Sequence, residues 1–174
     1  MSRATIIVWF CGVILWTLVA QANHYLAPFN ISLFTGGLFV TFAALRLSFR
    51  EGWWAMLLIG LFLDTPAPVP LGLHAVFFLL TQAIVFNIRH RLPREETLIG
   101  VVVALFSNLG IFLALCLVFS NHGPFFTENW FRLMIDLVAS QIVIVLIGPW
   151  FFALQAHALE FCGVSLRRDH RGLL

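Results

Sequence analysis

The chain has no lysine, a single tyrosine and only eight acidic residues among 174, so charged side chains amount to 10% of it. A soluble domain carries about 25% charged residues. A chain this poor in charge cannot clothe a water-facing surface. Ten arginines against eight acids leave a net charge of +2, which is no basic footprint for nucleic acid. Cysteine is scarce too. Cys11 and Cys116 fall inside apolar runs and Cys162 lies near the C-terminal tail, with no CxxC or Cys/His spacing. They read as buried apolar side chains, and neither a disulfide framework nor a metal site is expected. Catalytic signatures are missing as well: there is no HExxH, GxSxG or P-loop, and no paired glutamates of an intramembrane protease. The adjacent Glu95 and Glu96 stand beside Arg94 and read as a solvated face. The expectation is a protein that is not an enzyme and needs no cofactor.

What the chain does have is apolar surface: 61% of its residues are hydrophobic and its mean hydropathy is +0.97. A membrane-spanning helix needs about 20 mostly apolar residues. Six segments meet or approach that length, at about 5–22, 31–47, 51–64, 73–88, 98–119 and 133–159. The expected fold is all-α, a single polytopic helix bundle with about six transmembrane helices and a short cytoplasmic tail at 160–174. The first segment mimics a signal peptide at Ala20-Gln21-Ala22, but its apolar stretch exceeds the usual 7–15 residues or so, and a retained helix is expected. Arginine placement sets the orientation. With six spans and an inside N-terminus, nine arginines fall in inside segments and only Arg132 falls outside. Both termini are therefore expected in the cytoplasm.

The third segment is short. From Arg50 to Asp64 the rise is about 21 Å at about 1.5 Å per residue, against a hydrocarbon core of about 30 Å. Asp64 should then lie within the outer half of the membrane, and the stretch from Thr65 to Gly72, rich in proline, should finish the crossing as irregular backbone. Such backbone is tolerated at depth only against protein or a wet cavity. An ionisable group there costs several kcal/mol on insertion scales, and faces the bundle interior or water. Asp64 is thus either part of an outer polar or partner-docking site or a helix-ending carboxylate. His74 opens the next helix. Arg132 and Asp136 stand four apart, a spacing at which they should neutralise one another. All four map to the outer side. Gln82, Asn87, Ser107, Asn108, Ser140 and Gln141 should hydrogen-bond between helices. Gly36, Gly37, Gly60, Gly100 and Gly110 should allow close helix approach, and Gly148-Pro149 should kink the last helix. Trp53, Trp54 and Trp130 fall where an aromatic belt would lie.

The run Gly60-Leu61-Phe62-Leu63-Asp64, followed by Pro70-Leu71-Gly72-Leu73-His74-Ala75, resembles the rod-shape-determining protein MreD family. That family shows a G-x-x-x-D end to its third helix and P-L-G-x-x-A opening the next. Chain length, the Leu45-Arg46…Arg50 end of the second segment and the terminal proline-bearing helix are similar too. Pro28-Phe29-Asn30 stands where the family has an N-P-D-like sequence, and lacks the acid. The resemblance implies a non-enzymatic inner-membrane subunit of the bacterial cell-elongation machinery. Its partners would be a MreC-like periplasmic scaffold and, through it, a MreB-like filament and peptidoglycan synthases, with membrane lipid around it and no nucleic acid. The layout is also similar to the substrate-binding S-component of energy-coupling-factor vitamin transporters, which implies the alternative of a small-molecule-binding subunit.

Overall fold

The computed structural model describes residues 2–66, 69–91, 97–120 and 125–164. Six α-helices make up the described chain, in the order α1 (Arg3–Leu26), α2 (Gly36–Arg46), α3 (Phe49–Asp64), α4 (Leu73–Ile88), α5 (Thr97–Ser120) and α6 (Phe125–Phe161). No strand occurs among the described residues. Single 3₁₀ turns follow α1 at Ala27–Phe29 and α4 at Arg89–Arg91. Four stretches are long and apolar enough to cross a membrane: Arg3–Phe29, Leu73–Arg91, Leu98–Phe119 and Trp130–Phe161. Arg94, Glu95, Glu96 and His122, together with Arg167, Arg168 and Arg171 of the expected tail, lie outside the described residues.

Local chemistry fixes several boundaries. The Ser2 hydroxyl caps α1 by accepting from the Thr5 amide at 3.2 Å. Ser48 and Glu51 form a reciprocal capping box at the start of α3, which satisfies donors that the first turn leaves free. Arg89 of the turn after α4 donates to the carbonyls of Ala44 at 3.4 Å and Leu47 at 2.8 Å. That contact closes the tight corner between α2 and α3.

The second expected span differs from the structure. Helix α2 covers only Gly36–Arg46, 11 residues, and Ile31 to Thr35 are not helical. The apolar run is continuous, but its first part finds better hydrogen-bond partners in side chains of other helices. What remains of α2 is buried on every side from Gly36 to Ala44, the signature of a helix enclosed by its neighbours. It packs on α3, α4, α5 and α6. Phe39 meets Phe78 of α4 and Phe42 stacks on Phe152 of α6, at 5.9 and 6.3 Å between ring centroids. The long helices around it turn apolar side chains outward, among them Phe10, Leu80, Phe106 and Leu146.

Helices α1 and α3 run parallel, since Thr5 bonds the Glu51 carbonyl at 3.3 Å and Trp16 packs on Phe62 at 5.2 Å. One end of the bundle therefore gathers the start of α1, the α2–α3 corner and the end of α4, with Arg3, Arg46, Arg50, Arg89 and Arg91. The opposite end holds the 27–35 connection and the described parts, 65–66 and 69–72, of the one between α3 and α4. Helix α6 runs unbroken through Gly148 and Pro149, where Gly148 faces Leu38 and Val101.

Candidate functional site

Asp64 is the last residue of α3 and is 3% exposed. Its carboxylate does not trail into the connection that follows. Oδ2 accepts from the Gly72 amide at 2.8 Å, and Oδ1 accepts from the His74 amide at 3.2 Å and from His74 Nδ1 at 2.6 Å. Gly72 has φ +97°, a left-handed conformation that glycine adopts without the penalty other L-residues meet. This turn aims two amides of the first turn of α4 back at the acid. A carboxylate beside the free amides of a helix N-terminus is electrostatically favourable, so Asp64 acts on α4 more than on its own helix. One turn earlier, the helices touch backbone to backbone: a Cβ on Gly60 would fall on the main chain of Ala75. Pro70 completes the loop by accepting from the Leu73 amide at 3.2 Å.

His74 is largely covered, with 13% of its side chain exposed. Its ring lies 6.3 Å from Phe34 and 6.2 Å from Phe78. Phe34 belongs to the non-helical segment before α2, and that segment is held by side chains rather than by a helix ladder. Asp136 Oδ1 accepts from the Ser32 amide at 2.8 Å. Asn23 of α1 bonds Leu33 twice, accepting from its amide at 2.7 Å and donating to its carbonyl at 3.0 Å. Ser140 Oγ accepts from the Phe34 amide at 2.9 Å and donates to the Asp136 carbonyl at 2.6 Å. Asn108 of α5 then accepts from the Gly37 amide at 3.2 Å, inside the first turn of α2. Backbone groups outside a helix ladder need other partners, and here three different helices supply them.

Of the four expected site residues, the structure brings Asp64 and His74 into direct contact. Asp136 joins them through Ser32, Phe34 and Ser140. Arg132 does not. No ion pair links it to Asp136 among the described residues, contrary to the expectation from their spacing. Asp136 is buried and turned to Ser32, whereas Arg132 is exposed. An exposed i,i+4 pair is worth about 0.2–0.5 kcal/mol, less than a hydrogen bond to a charged group at about 1.5–3 kcal/mol.

Asn23 and Ser32 were not read as site residues. The signal for them was present: Asp136 and Ser140 put two polar groups one turn apart inside an apolar helix, and such groups need a partner. Among the expected interhelical donors, Asn108, Ser140 and Gln141 do bond across helices, but both amide atoms of Gln82 are buried without a partner, and Asn87 is exposed. Gly110 meets nothing within 4 Å and so mediates no close approach. No cluster of three or more metal-ligating side chains occurs among the described residues. Compared with known protein families, curated proteins and solved structures, the chain matches none.

Proposed function

We propose that this chain is a non-enzymatic subunit of the bacterial cell-elongation complex, similar to the MreD family, lodged in the inner membrane and acting through a MreC-like periplasmic scaffold. One observation carries the reading. The residues that give the resemblance, Gly60, Asp64, Pro70, Gly72 and Ala75, build, together with His74, a single locked corner between α3 and α4. A motif that fixes the shape of one end of a bundle fits a docking subunit.

Six crossings with both termini in the cytoplasm are part of the proposal. Helix α2 rises about 16 Å at 1.5 Å per residue. The five residues before it add up to about 16 Å if extended, which together match a hydrocarbon core of about 30 Å. The arginine-rich end would then face the cytoplasm, as cytoplasmic loops retain positive charge. The corner of Asp64 and His74 would face the periplasm. A vitamin-binding subunit would need free polar groups converging on an outer pocket. Here Asn23, Asp64, Asp136 and Ser140 are occupied with the protein's own backbone, and the described lining of the outer groove holds two polar side chains, Asn30 and Arg132.

Depletion in a rod-shaped host tests the reading. Cells should round, and the chain should co-isolate with a MreC-like partner from native membranes. Rods that persist while uptake of one vitamin fails would transfer the chain to the transporter class.

A further inference from the structure

Arg132 is the one arginine at the end of the bundle that holds Asp64, among the described residues, and the corner just derived makes no use of it. It lines an open groove of about 430 Å³ with Phe29, Asn30, Ile31, Phe131 and Ile135. No described lining residue is acidic. Ile135 also lines a second groove, of about 320 Å³, that continues along α6 past Val138 to Ile142 and is lined by apolar residues alone. The two grooves therefore form one track, cationic at its head and apolar along its length. Spacing along α6 keeps this track apart from the buried face. Arg132, Ile135, Val138 and Ile142 look outward, while Asp136, Ser140 and Ile144 look into the bundle. Trp130 is exposed two residues before Arg132, the placement of an aromatic belt residue at headgroup depth.

We infer that this track binds one anionic phospholipid of the adjoining leaflet. Its phosphate would lie on the Arg132 guanidinium with the Asn30 side chain beside it, and an acyl chain would lie along Ile135, Val138 and Ile142. A guanidinium presents paired N–H donors that match a phosphate. Of the two i,i+4 acidic neighbours of Arg132 in the sequence, Asp136 is already engaged by Ser32, and the Glu128 side chain lies outside the described residues. A free anion would use only the head of the track, and a zwitterionic choline headgroup would find no carboxylate among the described lining residues. The inference goes beyond the proposed function and does not depend on it.

Native mass spectrometry of the full chain in detergent, titrated with phosphatidylglycerol, tests it. One lipid should be retained, and Arg132→Ala should weaken retention about tenfold, the loss of one charge-assisted hydrogen-bonded contact. Ile135→Trp, which fills the track and keeps the arginine, should weaken it similarly. Arg50→Ala, at the opposite end, should change nothing. Phosphatidylcholine should bind more weakly, and millimolar inorganic phosphate should not displace the lipid. Equal retention by the wild type, Arg132→Ala and Ile135→Trp overturns the inference. So does equal binding of phosphatidylcholine, displacement by inorganic phosphate, or a co-purified protein that blocks the track. Cell shape is not the readout, so failure here leaves the elongation reading where it stood.

Discussion

A carboxylate that accepts three hydrogen bonds from one neighbouring turn is hard to replace. In Asp64→Asn one oxygen becomes an NH₂ donor, which faces either the Gly72 amide or the two donors of His74. At least one contact is lost, at about 1–3 kcal/mol. Asp64→Leu strands all three donors and should cost about 3 kcal/mol or more. Thermal melting of the purified chain should therefore rank wild type above Asp64→Asn, and Asp64→Asn above Asp64→Leu. A melt of Asp64→Leu equal to wild type would remove the corner from the argument. Complementation of a deletion strain separates fold from docking: normal rods from Asp64→Asn at normal abundance would make the carboxylate structural only. Gly72→Ala should cost about 1–2 kcal/mol, because its φ of +97° lies where a Cβ is strained. That Asp64 lies at the outer end near the start of the next helix was legible in the sequence, since only eight residues separate it from Leu73, but spacing alone left its partner open between the loop amides, His74 and the Arg132 region. The fate of Arg132 and Asp136 was not. Helical spacing says that two side chains are near, and the burial of each depends on what the rest of the bundle presents.

Close helix contacts in this bundle rest on particular glycines, and the helices should respond to substitution accordingly. A Cβ on Gly60 would fall on the Ala75 backbone, and one on Gly37 would fall on the Ala104 carbonyl. Neither neighbour is a flexible side chain, so the helices must separate. Small residues at such crossings are what lets helices associate in lipid. Gly60→Ala and Gly37→Ala should each destabilise the bundle by about 1–3 kcal/mol, with a lower melting temperature and less protein in the membrane. Gly110→Ala is the matched control, because nothing lies within 4 Å of the added methyl, and it should be silent or slightly stabilising. A silent Gly60→Ala would mean that α3 and α4 are not in backbone contact. Five of the six helices could be read from apolar run length to within a few residues at most ends, although α6 begins earlier, at Phe125. The start of α2 could not. Ser32 and Phe34 are held by side chains 104 and 106 residues away along the chain, and no local pattern reports a partner so distant. Asp136→Ala tests that tether. It should leave the Ser32 amide unmet and loosen the segment, seen as faster amide exchange at Ser32 to Phe34 with the arginine end of the bundle unchanged.

Over the whole molecule, chemistry is divided between two ends of one bundle. One end carries Arg3, Arg46, Arg50, Arg89 and Arg91. The other carries the locked corner, the tethered segment and the lipid track. Helices α2 and α3 alone are too short to span; α2 sits in the enclosed core, where it meets four neighbours, whereas α3 keeps an exposed face at Trp53 and Trp54. Irregular backbone beside them is sustained because protein groups, not lipid, satisfy it. The same division gives the orientation a direct test with two single-cysteine reporters. Cys162 is exposed and must be replaced by serine, whereas Cys11 and Cys116 are buried and can stay. Leu71→Cys marks the connection after Asp64, on a side chain that is 76% exposed. His90→Cys marks the exposed turn after α4 at the arginine end. In intact spheroplasts a membrane-impermeant maleimide should label Leu71→Cys at once and His90→Cys only after permeabilisation. Both positions flank the same helix, Leu73–Ile88, so they must lie on opposite sides if that helix crosses. Equal labelling of the two would mean that α4 does not span. The reverse pattern would turn the arginine end outward, against the charge rule, and would move the corner of Asp64 and His74 to the cytoplasm, out of reach of any periplasmic scaffold.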